Sequence, residues 1–321
     1  MRKASVLGVA LLITGVSATA AYAVFQASRA VPSNSFSTAA DWSPPTTSSS
    51  VIAKTTAGSA GYIKQGATYY VYANVTDNGN PASGVSTVQA NVSTITTGQT
   101  AATLTAGSYT VDGTAYGYRT SSLTANGSLT AGNYTYAITS TDSGGHSATQ
   151  SGFTVTVDNT APSASDIQTA NGGSIAGRAQ QSDTITFTFS EAIDPASILA
   201  GWTGASTNVV VRLNDGGLIA NDTVAIYNAA NTSQLPLGSV DLGRTDYTSS
   251  NRTFGATSTA STMVMSGASI TITLGTQSGA ATTAGATGTM SWTPSATAKD
   301  RADNAMSTTA RNETGTADKE F

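Results

Sequence analysis

Residues 153–162 read FTVTVDNTAP. Phe153, Val155 and Val157 alternate with threonine, which is the period of a strand with one buried face. The acid, amide and proline that follow cannot carry the ladder further: Asp and Asn favour turns, and a proline pushes the residue before it out of helical space. The stretch therefore reads as the last strand of one sheet-forming module and the start of a joint to another.

The same alternation recurs on both sides of this joint. Upstream, TYYVYANVTD (68–77) places Tyr69, Val71, Ala73 and Val75 on one face, and VSTVQANVS (85–93) and YTYAITSTD (134–142) follow between Gly and Asn clusters. Downstream, TITFTFSEAIDP (184–195) turns Ile185, Phe187 and Phe189 inward before breaking at Glu191 and Asp194-Pro195. NVVVRLND (208–215), TVAIYNA (223–229), ASITITLG (268–275) and GTMSWTPS (288–295) supply further strands. Many short strands at this spacing predict an all-β chain of two tandem sandwiches. Leu129, Gly132 and Tyr134 have the spacing of a tyrosine corner, in which a phenol bonds back to the chain upstream. The second module is longer than a minimal sandwich of about 100 residues, so extra strands or an insertion are expected within 200–262.

Composition agrees. Charged residues are 10 % of the 321, whereas Ser and Thr together number 96. Thr is β-branched and suits the wet face of a pleated strand, so the polarity of the chain is carried by hydroxyls on sheets. The net charge is −4 and no run of basic residues is present, which argues against nucleic acid and anionic membranes as partners. There is no cysteine, so neither a disulfide nor a thiolate ligand is available.

The N-terminus, MRKASVLGVALLITGVSATAAYAVF, has two cations, an apolar run from Val6 to Val16 and small residues ending in Ala21-Tyr22-Ala23. These are the parts of a secretory signal cleaved before Val24. If uncleaved, the segment is long enough to anchor in a bilayer, the one route to a membrane that the sequence offers. This leader, with Val24-Phe25 and Asn34-Ser-Phe36-Ser-Thr-Ala-Ala-Asp-Trp42, resembles that of the camelysin and TasA-like proteins, which are processed by a SipW-type signal peptidase. The resemblance covers about the first 42 residues and implies export to a bacterial cell surface or biofilm matrix. SPPTTSSS (43–50) then reads as a flexible spacer. The expected organisation is a signal helix over 1–23, an extended arm and linker over 24–50, one sandwich over 51–160 and a larger one over 161–321.

The segment YAITSTDSGGHSATQSGFTVTVDNTAP (136–162) resembles the closing hairpin of bacterial Ig-like domains, which ends in Asp-x-x-Gly-Asn, a strand and Val-Asp-x-Thr-Ala-Pro. His146 stands where that pattern has Asn. TITFTFSEAIDP resembles the opening of another bacterial Ig-like class, and AKDRADNAMSTT (298–309) repeats the turn through Asp300 and Asn304, with Asp303 in the glycine place. If that place needs a positive φ, Asp fits it less well than Gly.

No nucleophile elbow, HExxH or P-loop is present, and the one histidine, His146, falls in a hairpin turn. Glu191 and Asp194 are close enough in sequence to suggest a glycosidase pair, but acids at a strand end beside Pro are ordinarily turn formers. The expectation is a protein without catalysis and without an organic cofactor. Calcium is the one ion the chemistry admits: Asp77, Asp142, Asp158, Asn159, Asp300 and Asp303 offer hard oxygens at predicted strand ends, as do Glu191 and Asp194. The Ig-like resemblance implies calcium at the joint between modules, whereas the same residues also cap turns without any ion. Three functions follow: a secreted structural or interaction protein, whose partners are matrix or surface components or other copies of itself; an adhesin or carbohydrate-binding module using Tyr116, Tyr118 or Trp202 as a platform; and a fibre subunit that donates its arm, residues 24–42, as a strand.

Overall fold

A computed structural model describes residues 41–54 and 59–321, so the signal helix, most of the arm and the leader resemblance lie outside the described residues. The first half of this span builds β1 (Thr46–Lys54), β2 (Tyr62–Ile63), β3 (Thr68–Thr76), β4 (Val85–Asn91), β5 (Ala102–Val111), β6 (Thr114–Thr120), β7 (Leu123–Thr124), β8 (Gly132–Asp142) and β9 (Ser147–Val157). They form one sheet in the order β1-β3-β6-β5-β4-β8-β9-β2, with β7 beside β3. Among the described residues of this half, only β2 and β9 pair in parallel. The first strand of the path lies against β2, β8 and β9 at its other end, so the sheet curls towards a barrel. Inside are Ile52, Tyr69, Val71, Val88, Ile95, Ile138, Val155 and Val157.

The second half builds β10 (Ala164–Ala170), β11 (Thr184–Phe189), the short helix α1 (Pro195–Ile198), β12 (Thr207–Asn214), β13 (Thr223–Asn228), β14 (Gln234–Asp241), β15 (Arg252–Phe254), β16 (Ser261–Ser266), β17 (Ser269–Thr273), β18 (Ser291–Thr293) and β19 (Arg311–Asn312). The order is β10-β11-β17-β16-β12-β13-β14-β18-β19, with β15 on β12, and β10 returns to lie against β18 and β19. The extra length expected within 200–262 is β13, β14 and β15, all absorbed into the same sheet. The chain is thus all-β, with two barrel-like sheets and a separate hydrophobic core in each.

Local sequence explains the cores. In β11 every second residue is buried: Ile185, Phe187 and Phe189 face in while the threonines face out. Phe187 and Phe189 each meet Trp292 of β18 edge-on at 5.1 Å, and the Trp292 indole N–H donates to Leu237 O at 2.6 Å. That bond lets a large ring be buried completely without stranding its polar atom. Tyr134 donates to Thr130 O at 3.1 Å, the backward bond expected of the tyrosine corner, with Leu129 buried beneath it.

One expectation is corrected. The spacer over 43–50 is a strand from Thr46 onward, paired with β3 from Thr46↔Thr76 to Lys54↔Tyr69. Its first residues carry hydroxyls on a solvent-facing edge and show no apolar period, so only the ladder reveals them. Ser50 shows how it is held: its hydroxyl donates to Tyr72 O at 2.7 Å and lies 3.1 Å from the Tyr136 hydroxyl.

Candidate metal centre at the joint between the sheets

Asp158 ends the alternation of β9, and its N–H still donates to Ile63 O at 2.9 Å. On the far side of the joint, Glu191 follows β11, and the isolated bridge between Ile193 and Asp300 brings the 300–304 turn beside it. One carboxylate oxygen each from Asp158, Glu191 and Asp300 lies within 4.8 Å of the other two. Asp300 is buried and closes its own turn: Oδ1 accepts from the Asn304 N–H at 2.8 Å and Oδ2 from Asn304 Nδ2 at 2.7 Å. Asn304 Nδ2 also donates to Asp158 O at 3.0 Å, tying the turn to the linker.

Glu191 is the group under stress. Its Oε1 is buried with no hydrogen-bond partner, and its pKa is pushed up to about 7, first by burial and then by the Asp158 and Asp300 carboxylates. Three acids at this range hold all their charges together only with a compensating cation, and otherwise one keeps a proton. The lysines nearby are committed to the backbone: Lys54 Nζ donates to Arg301 O and Lys64 Nζ to Asp303 O. Lys54 is itself buried, which lowers its pKa against the pull of Asp303, Asp194 and Asp300. All the free donors of the cluster are hard oxygens, the set that suits calcium rather than a softer metal.

The six residues expected to hold calcium divide unevenly. Asp158 and Asp300 come together, and Glu191 completes their group. Asn159 is not in it, because its Oδ1 accepts from the Gln65 N–H and its Nδ2 donates to Leu129 O. Asp303 is not in it either, because its carboxylate pairs with Lys299 at 2.8 Å. Asp303 does adopt a φ of 75°, the left-handed conformation that its place in the turn requires. Asp77 and Asp142 form a second group with Asp41, at the other end of the N-terminal sheet. There every carboxylate oxygen already has a donor: Ser43 and Ser83 on Asp41, Gly79 and Gly84 on Asp77, and His146 on Asp142. The Ser43 amide, reinforced by Ser83, holds the Asp41 carboxyl below its usual range. Nothing in the sequence marked Asp41, which reaches this group from just before β1.

The other predicted residues are engaged in packing. Asp194 caps α1 by accepting from the Ala196 N–H at 3.1 Å. Trp202 is buried, with its N–H donating to Ala205 O, and Tyr118 packs on the N-terminal core. Tyr116 leans on Tyr72 with ring centroids 5.8 Å apart, so the three aromatics do not form one exposed platform. A cleft of about 780 Å³ opens between the sheets, lined in part by Lys54, Tyr62, Asp112, Asp194, Trp202 and Arg301. The sequence matches no protein-family model and no curated protein.

Proposed function

We propose that the chain is a secreted or cell-surface structural or interaction protein without catalysis, built of two Ig-like β-sandwich modules whose joint is stiffened by calcium. Its working part is the relation between the modules, with matrix or surface components or further copies of the chain as partners. The observation that carries this reading is the convergence of Asp158 from the linker with Glu191 and Asp300 from the C-terminal sheet, on a joint also crossed by Lys54, Lys64 and Asn304. An ion there would link three chain segments at once, offset the repulsion among the carboxylates and give the buried Glu191 Oε1 a partner. The mobility such an ion suppresses is that of one module against the other, the default expectation for two domains of one chain unless their interface is large and hydrophobic. Small-angle scattering on the processed protein tests the idea. The distance distribution is expected to broaden when calcium is chelated and to stay broad in Glu191→Gln with or without the ion; curves unchanged by chelation would overturn it.

A further inference from the structure

A third acidic group lies on the C-terminal sheet and shares no residue with the joint. Glu313, Asp318 and Glu320 each place a carboxylate oxygen within 4.8 Å of the other two. The chain over 311–321 is fastened to its surroundings at several points. Glu313 exchanges bonds with Met290, its N–H donating to Met290 O at 3.0 Å and its Oε1 accepting from the Met290 N–H at 2.9 Å. Asp318 O accepts from the Gly288 N–H at 2.8 Å, the Glu320 N–H donates to the Tyr247 hydroxyl at 2.7 Å, and the Phe321 N–H donates to Thr169 Oγ1 at 3.1 Å. The backbone that carries the three carboxylates is therefore fastened to β10, to the Tyr247 loop and to the residues before β18.

Acids alone would not make a site, but Glu320 adds an independent observation. It is 1 % exposed; its Oε2 accepts from Thr169 Oγ1 at 2.7 Å, while its Oε1 is buried with no hydrogen-bond partner. Among the described residues no lysine or arginine forms an ion pair with Glu313, Asp318 or Glu320. A buried carboxylate oxygen without donor or counter-charge is costly, and native structures resolve such a group with a proton, a water or a metal. Asp318 is exposed and Glu313 half-buried, so the group opens to solvent on one side, as an ion and its remaining waters require.

We propose that Glu313, Asp318 and Glu320 form a calcium-class divalent cation site, separate from the one at the joint, with Glu320 Oε1 as its buried ligand. The site pins the segment after β19 to β18 and to the Tyr247 loop, so its effect is on the C-terminal sheet itself and not on the relation between the sheets.

The test is a calcium titration of the chelator-stripped, processed protein by calorimetry, with terbium emission excited through tyrosine as a second readout. Asp318→Asn alters an exposed side chain, and Glu320→Gln keeps the shape of a protonated Glu320, so neither should disturb the fold. Each is expected to weaken one calcium equivalent by about tenfold or more, because affinity follows the ligand charge count. Glu191→Gln is expected to leave that equivalent intact, which separates this site from the one at the joint. Titrations of Asp318→Asn and Glu320→Gln that match the unaltered protein, or a protein that takes up no calcium sensitive to either change, would overturn the proposal.

Discussion

His146 and Asn304 occupy the same place in two copies of one turn. In both, the residue four positions after an aspartate donates its backbone N–H to Oδ1 and a side-chain nitrogen to Oδ2, at 2.8 and 3.2 Å for His146 and 2.8 and 2.7 Å for Asn304. The aspartate N–H returns a bond to the carbonyl of the fourth residue, at 3.0 Å in one copy and 3.1 Å in the other. The third residue has a positive φ in each, Gly145 at 88° and Asp303 at 75°. The imidazole thus performs the task of an amide, which gives the histidine a structural reason to sit there. His146→Asn is expected to change stability by less than about 0.5 kcal/mol in denaturant melts. Asn304→Ala is expected to cost about 2–3 kcal/mol, since it strips a donor from the buried Asp300 carboxylate and from Asp158 O together. Equal effects of these two changes would contradict the equivalence of the side chains.

At the scale of the element, burial decides which strands matter and which could be foreseen. Trp292 stands between Phe187 and Phe189 and joins β11 to β18 across the C-terminal core. Its replacement by Ala is expected to cost about 3–5 kcal/mol from lost burial and the cavity left behind. Gly238 in β14 faces a different constraint: a Cβ there would meet Thr293 O at 2.0 Å, and its φ is 82°. Gly238→Ala should therefore separate β14 from β18, measurable as faster amide exchange at Val240 and Trp292, which pair across those strands. Strands such as β3 and β11 were legible because one face is apolar at every second residue. β1 was not, since its outer half is Thr and Ser on an edge, nor was β15, whose Arg252-Thr-Phe254 is too short to show a period. The site followed the same logic. Asp158 and Asp300 could be found because each closes a recognisable strand or turn, whereas Glu313, Asp318 and Glu320 look in sequence like a solvated tail. Only the fold shows that Glu320 is inside.

For the whole molecule, the two stressed glutamates set the direction in which stability should move with pH. The folded-state pKa of Glu191, about 7, and of Glu320, about 8, both lie above the ordinary carboxylate value of 4.5. A group raised in this way contributes stability below its unfolded pKa and loses it as pH rises through the folded value. In the presence of chelator the melting temperature should therefore fall as pH is raised from about 5 to about 8, with Glu320→Gln flattening the upper part of the slope. Calcium cancels this loss, because an ion binds only the ionised carboxylates and displaces the same protons. At a hundredfold excess over its Kd, one bound ion adds about 2.7 kcal/mol, or roughly 5–10 °C for a chain built of domains this size. Differential scanning calorimetry across that pH range, with calcium and with chelator, should give two lines that diverge as pH rises. Parallel lines would mean that neither acidic group exchanges its proton for an ion, and the stiffened joint would lose its chemical basis.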